Sequence, residues 1–499
     1  MSYEVAVSDH PLDPIFHPRA VALVGVPSSG AARGGGGGWS FLTSLLEQKF
    51  HERHALYPVN PKMTEVEGLK CYPTLLDTPD PVDHVISLVP ARAAPGLVDQ
   101  VIQKRVRSLH FYTAGFSETG DEEMANVEAE MIAKLRAAGV RTIGPNCMGL
   151  YVPESGLAFM GGFPREPGNV MLISQSGANA GEVVGGLARR GVRFSKVVSF
   201  GNGADLRSYD FLDYAMHDDQ TAVVTAYIEG VQDGRKFFDA VKRCAAVKPV
   251  ILLKGGLTSA GARAANSHTG SLAGSIQIFD AMARQAGAIR AETMDELHDL
   301  IVAANTSVRR VRGTGVALVS TGGGYGVLAS DAIALEGLDV PPMPQQTQDE
   351  LREFVEIAGT SVNNPIDTMV RRPEEIERML RIVAQAEPVD AVFVSPMFGG
   401  PRGTGRPTSP DASPEEIERT ASEAARVNAE MLERLQQQTG TAFVVVTRDR
   451  GVPPPGTDTF LNETYQRGVA VYPSVSRAAR AVSLIRQWRA RREGLPDIL

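Results

Sequence analysis

Cysteine is scarce: Cys71, Cys147 and Cys244 are the three in 499 residues, far apart and with no CxxC pair. That excludes a disulfide framework and a structural zinc site, and makes a reducing, cytoplasmic compartment the expectation. A positive charge excess is also missing. Lys+Arg 50 against Asp+Glu 58 gives a net charge of −8, so nothing draws the chain to a nucleic-acid backbone or an anionic lipid surface, and neither partner is expected. Long apolar runs are absent too. VMLI at 170–173 and FVVV at 443–446 fall far short of the roughly 18 residues that span a bilayer. The opening MSYEVAVSDHPLDPIF carries acids and prolines where a secretory signal has a basic start and an apolar stretch. A soluble chain that is not exported is therefore expected.

What is present is an ordinary globular composition, 43% hydrophobic and 22% charged, long enough for about three domains at roughly 150 residues each. Short β-branched runs ending in glycine or proline alternate with longer Ala/Leu/Arg/Glu stretches of helical period, the pattern of an α/β fold with parallel sheets. Strands are expected at Ala20–Val26, His54–Val59, His84–Val89, Ser108–Thr113 and Arg141–Ile143, with helices at Ser40–Gln48, Ala94–Lys104 and Asp121–Ala138. A second series runs through Val170–Ile173, Lys196–Phe200, Ala222–Ile228 and Val250–Leu253 to the helices Ser275–Ala286 and Met294–Asn305. After a basic linker, Val308–Gly313, a third begins at Gly315–Ser320. Domains are expected at 1–155, 156–308 and 313–499. The stretch Gly399–Pro414 reads as a mobile loop, and Pro414–Gln438, with charges of alternating sign, as one long surface helix.

Several segments carry chemistry. VALVGVPSSG at 21–30 puts a small, bent loop at the carboxyl end of the first strand, where open α/β sheets bind ligands. The spacing is not G-x-G-x-x-G, and the second strand ends in YPVNPK at 57–62 rather than in the acid that holds a free ribose hydroxyl. Lys62 suits a ribose that carries a phosphate, which favours coenzyme A over NAD and leaves NADP open; a tight turn beside a solvated lysine fits the same residues. RGGGGG at 33–38 reads as an excursion before the next helix. Cys147, in GPNC at 144–147, reads as a packed residue rather than a nucleophile. Ser174, Gln175, Ser176 and Gly177 follow a strand and open a helix, so N–H groups and hydroxyls converge where an anion binds, or form an ordinary cap. His268 lies in the small-residue stretch AANSHTGSLAG at 264–274; an imidazole there can carry a phosphoryl group, and a lone loop histidine can equally be inert. Glu229 ends an apolar strand, where a carboxylate can orient an imidazole or merely face solvent.

Together these stretches resemble the α-subunit part of the NDP-forming (ADP-forming) acyl-CoA synthetases, the succinyl-CoA synthetase-like superfamily. The likeness is carried by YTAGFSETG at 112–120, IGPNC at 143–147, ISQSGA at 173–178, SFGNGAD at 199–205, YIEGVQDGRKF at 227–237, LKGGLTSAGARAANSHTGSLAG at 253–274 and NNPID at 363–367. The resemblance implies a Rossmann-like CoA-binding domain followed by two flavodoxin-like domains. CoA would be held by Gly25, Ser28, Ser29, Gly30, Asn60, Lys62, Val89 and Pro90, with Pro145 and Asn146 toward the thiol. His268 would be the phosphorylated residue, Glu229 would orient it, and Ser174–Gly177 would bind its phosphate; no metal ligand is implied. In the implied reaction acid and phosphate form an acyl phosphate that the CoA thiol attacks, and phosphate passes through phospho-His268 to ADP, or in reverse from ATP. The third module starts at VSTGGGYGVLASDA, 319–332. No stretch corresponds to the family's ATP-grasp portion, so ATP/ADP and Mg2+ are expected on a separate β subunit, in a hetero-oligomer acting on a small carboxylic acid. Two other classes stay open: a non-catalytic CoA- or acyl-CoA-binding regulator or scaffold, and an NADP-dependent oxidoreductase.

Overall fold

Strands form where β-branched runs meet turn residues, and helices where capped, amphipathic stretches follow. Asp121 shows the local logic. Its carboxylate accepts the Glu123 and Met124 N–H groups at 2.9 and 3.3 Å and so starts the helix Glu122–Ala137, whose first turn holds Glu122 and Glu123 and whose last holds Lys134 and Arg136. Gly139, at φ +77°, lies just beyond its end. In Gly234–Val247 the buried residues Phe237, Ala240, Val241, Cys244 and Ala245 recur at helical spacing behind an Asp233 cap.

The computed structural model describes residues 10–27, 38–261, 263, 275–320, 323–355, 361–368, 370, 372–395, 412–447 and 453–492. His268, Ser28, Ser29, Gly30, most of the glycine run at 33–38 and most of the 399–414 loop lie outside them. The strands are β1 (Ala20–Val24), β2 (Ala55–Val59), β3 (Glu65–Val66), β4 (Leu69–Lys70), β5 (His84–Ser87), β6 (Ser108–Phe111), β7 (Arg141–Ile143), β8 (Gly149–Tyr151) and β9 (Val170–Ser174). They continue with β10 (Phe194–Ser199), β11 (Val223–Ile228), β12 (Val250–Lys254), β13 (Ile289–Ala291), β14 (Val316–Ser320), β15 (Ile366–Asp367), β16 (Ala391–Val394), β17 (Ala442–Val446) and β18 (Ala470–Tyr472).

These strands make three large sheets and one small hairpin, β3–β4. The orders are β2-β1-β5-β6-β7, then β13-β12-β11-β9-β10-β8, then β15-β14-β16-β17-β18. Pairing is parallel throughout the large sheets except that β8 runs antiparallel to β10. Counting the parallel strands within each sheet, and so setting aside the antiparallel edge strand β8, all three share the doubly wound order 2-1-3-4-5. That order creates a switch point between the first and third strands, and ligands of open α/β sheets bind outside the strand ends there. The fold class is α/β as the alternation predicts, with the first domain wound in the flavodoxin-like order.

Two compact units are formed. One comprises 1–188 with 193–292, and the other 189–192 with 293–499. The first unit thus holds two sheets, and β8, although it follows β7 closely in sequence, joins the second of them because its edge pairs with β10. In the second unit the helix Met294–Ala304 is buried along most of its length, and Val308 and Val311 are buried, so the basic 308–313 segment packs instead of linking. Asp299, buried, accepts Arg190 at 2.9 Å and Arg477 at 2.5 Å, which fastens the 189–192 segment within this unit. The helix Pro414–Thr439 starts at a Ser413–Glu416 capping box and buries Ala421, Ala425, Ala429, Leu432 and Leu435 along one side. The alternating charges therefore describe only its outer face.

Candidate active site at the strand ends of the second sheet

The switch point of the second sheet lies between β9 and β11, and it brings Ser174, Gln175, Ser176, Gly177 and Glu229 together. The main chain leaves β9 at Ser174 and enters the helix Gly177–Ala188 three residues later. The Gln175 N–H donates to the Tyr227 carbonyl at 3.0 Å. Its side-chain oxygen accepts the N–H groups of Glu229 and Gly230 at 2.8 and 3.0 Å, so one buried carboxamide ties the two strand ends together. The Ser174 hydroxyl donates to the Ser176 carbonyl at 2.6 Å, and the Ser176 hydroxyl accepts the Asn179 N–H at 3.4 Å. Both serines are thus engaged in shaping the helix start, while the N–H groups of its first turn have no acceptor within the helix. Gly177 is required sterically: a Cβ there would lie 2.3 Å from the Met148 side chain.

Glu229 is 7% exposed. The Tyr227 hydroxyl donates to its carboxylate at 3.2 Å; burial and then the Glu229 charge push that phenol up to about 12. From β12, the Lys254 ammonium donates to the Glu229 carbonyl at 2.6 Å and also to the Gly255 carbonyl. Burial, aided by Arg290 and opposed by Glu229, holds this lysine below the ordinary range. A shallow, open cleft adjoins, lined by Gln175, Asn202, Arg207, Tyr209 and Gly230 among others.

The first sheet has its own switch point, between β1 and β5. Gly25 sits there at φ +90°, and a Cβ on it would press to 3.1 Å from the Leu88 and Val89 backbone, which only glycine avoids. Asn60 donates from its side chain to the Val26 carbonyl at 2.6 Å and accepts the Lys62 N–H at 2.8 Å. Gly25, Asn60, Val89 and the exposed Pro90 therefore share one strand-end rim, with Lys62 on its outer side, exposed. The missing Cβ at Gly25 lets the end of β1 pack against the Leu88–Val89 backbone, and a basic group on the outer side of the rim suits a phosphate; these residues fit a phosphorylated nucleotide such as CoA. Pro145 and Asn146 lie at the far strand end of this sheet and touch the second. The Asn202 N–H donates to the Pro145 carbonyl at 3.1 Å, and a Cβ on Gly201 would fall 2.2 Å from the Asn146 carbonyl oxygen. Cys147 is buried against the Phe111 carbonyl and its thiol is pushed up by burial, so it packs, as the sequence suggested.

Comparison with known proteins now adds the family. Residues 19–153 match the model of a CoA binding domain and residues 167–304 that of a succinyl-CoA ligase-like flavodoxin domain. Acetate–CoA ligase (ADP-forming) I subunit alpha of Pyrococcus furiosus is 32% identical over 486 residues, 96% of this chain and 97% of that one; subunit alpha of its second such ligase is 35% identical, over 78% and 84%. The chain belongs to the ADP-forming acyl-CoA synthetase family. A dinucleotide-forming acetyl-coenzyme A synthetase 1 of Candidatus Korarchaeum cryptofilum, in complex with phosphate and ADP, superposes with a TM-score of 0.78 at 30% identity, covering 97% of this chain and 98% of that one. Acetate–CoA ligase (ADP-forming) I of Archaeoglobus fulgidus is 36% identical over 77% of this chain but only 54% of its own length, so the chain spans about half of that relative.

For a synthetase of this family, three residues of the site escaped the sequence reading. Lys254 ends β12 and looks like any strand-end lysine. Asn202 joins the Pro145 backbone to an acid cluster, donating to Glu118 at 2.7 Å and to Glu128 at 3.4 Å; Glu128 is raised by burial, against hydrogen bonds from Ser117 and Asn202. Tyr227 lies within a strand. The one signal available was adjacency: Tyr227 and Asn202 stand inside the quoted YIEG and SFGNGAD stretches, and Lys254 inside LKGG. Among the described residues no helix is long and apolar enough to cross a membrane.

Proposed function

We propose that this chain is the CoA-binding, phosphohistidine-carrying part of an acid–CoA ligase that converts a carboxylic acid, CoA and ATP to acyl-CoA, ADP and phosphate. The observation that carries the reading is the join between the strand-end edges of the two sheets, in which Asn146, after β7 on the first edge, meets the 200–203 loop beside the Ser174–Gly177 helix start on the second. A group held over the first sheet and an anion at the second are thereby kept within one continuous edge. CoA supplies the thiol that accepts the acyl group. Gly25, Asn60, Val89 and Pro90 would bind its nucleotide end with Lys62, Ser28, Ser29 and Gly30, while Pro145 and Asn146 would face the thiol.

His268 would attack the γ-phosphorus of ATP, forming a P–N bond as ADP leaves; the acid carboxylate would then take the phosphoryl group as that bond breaks, and the CoA thiolate would displace phosphate from the resulting acyl phosphate. The N–H groups at the start of the helix Gly177–Ala188, which the Ser174–Gly177 turn presents, would spread the phosphoryl charge, with the helix N-terminus adding a favourable partial charge. Glu229 would fix the imidazole tautomer. We assign residues 1–155, 156–308 and 313–499 to the three functional modules. ATP/ADP and Mg2+ are assigned to a β subunit of ATP-grasp type, because the P. furiosus relatives are named as alpha subunits and the longer A. fulgidus relative continues beyond the matched region. A scaffold that only binds CoA gives no reason for the Gln175 and Lys254 ties around Glu229.

The test needs only this chain. Incubated with acetyl-CoA and radiolabelled phosphate, it should acquire an acid-labile, base-stable label that His268→Ala abolishes. Label that persists in that variant, or no label with any of a panel of short acyl-CoAs, refutes the reading.

A further inference from the structure

We propose that Lys254 is a positioning residue that locks Glu229 and the root of the segment leading to His268 against each other. The inference rests on the phosphohistidine reading and deepens it. The ammonium is buried, 4% exposed, and it donates to two carbonyls on different strands, those of Glu229 beyond β11 and Gly255 beyond β12. Gly255 begins the stretch that reaches His268 thirteen residues later, so the lysine fastens together the strand end that holds the orienting acid and the strand end from which the histidine departs. Gly255 packs closely on β11: a Cβ on it would lie 2.6 Å from the Tyr227 hydroxyl, which itself donates to the Glu229 carboxylate.

A neutral amine holds two carbonyls less tightly than an ammonium, because charge-assisted hydrogen bonds are the strong ones. The charged groups acting on Lys254 are Glu229 and Arg290, and burial is the largest influence, moving its titration down from the ordinary lysine value. The folded chain therefore gives up this proton at a lower pH than the unfolded chain does, and alkaline solution removes the lock while the fold persists. An arginine at 254 would keep its charge throughout.

The experiment compares wild type, Lys254→Met and Lys254→Arg in the labelling reaction with acetyl-CoA and radiolabelled phosphate, across pH. Lys254→Met should lower the maximal labelling rate on the order of 10- to 100-fold and leave KM for acetyl-CoA unchanged, since the CoA rim belongs to another sheet. Lys254→Arg should recover most of the rate and lose the alkaline decline of the wild type. Equal loss of rate and CoA binding in both variants would mean a structural role only and overturn the proposal. Limited proteolysis within 255–275 gives an independent reading: Lys254→Met should be cut faster than wild type, and equal rates reject the lock. Absence of label in the wild type alone refutes the ligase reading, and proteolysis then still decides the lock.

Discussion

The Gln175 carboxamide offers the sharpest test of how the second switch point is built. Its oxygen accepts two main-chain N–H groups, from Glu229 and Gly230, and Gln175→Ala removes that acceptor with nothing in its place. An unpaired buried N–H costs about 1–3 kcal/mol. Glu229 is buried and should bear the full cost, whereas Gly230 is half-buried and can recruit water, so about 2–4 kcal/mol is expected in all. In a multi-unit chain global unfolding is not one transition, so amide hydrogen exchange of the 227–231 backbone is the better assay. At 1.36 kcal/mol per decade, exchange there should quicken about 30- to 900-fold. Gln175→Glu keeps an oxygen acceptor and should exchange nearly as slowly as wild type. Unchanged exchange in Gln175→Ala would refute the claim that this side chain holds the two strand ends together.

Gly201→Ala should force the 200–203 loop away from Pro145 and Asn146, since its Cβ would meet backbone oxygens at 2.2 and 2.4 Å and φ is +54°; labelling should fall more than tenfold, and an unchanged rate would show that the join is dispensable. Asp205 is buried and accepts Thr142 N–H, Arg141 and Arg136 at 2.8, 3.0 and 2.7 Å. Burial raises its carboxyl, but these bonds outweigh that and leave it below the ordinary value. Its stabilisation is therefore present above the unfolded carboxylate range and lost as pH falls through the folded value, and Asp205→Asn should flatten the acid limb of a melting-temperature profile. His84 and His110 are buried and lowered by desolvation to about 3 and about 4. The unfolded chain takes up these protons first, so stability should fall from about pH 6.5 downward; His110→Asn should reduce that slope, read by thermal melts at stepped pH.

How legible was this in the sequence? β1, β9 and the helix Glu122–Ala137 were readable because a buried parallel strand is a short apolar run and a helix carries its caps locally. Most strand positions followed the same rule. β8 was not readable, since three residues have no period of their own and become a strand only by meeting the edge of β10. The serines, Gln175 and Glu229 were nameable from motif likeness, and their convergence follows from strand order. What no motif displayed was how they are held. Gln175, expected to face phosphate, directs its oxygen to the backbone of the neighbouring strand, and Lys254 is drawn in by carbonyls from two segments.

The sequence by itself determined the alternation of strand and helix, the glycine that backbone crowding demands at 25, and the family. Those are local or covalently encoded properties, set by side-chain period and the space around a Cα. Tertiary structure alone decided that the ends of β9, β11 and β12 meet, that Pro145 lies against Gly201, and which buried donors and acceptors satisfy one another. Hydrogen-bond partners between strands far apart in the chain depend on the order in which a sheet is wound, and that order is fixed only when the cores pack.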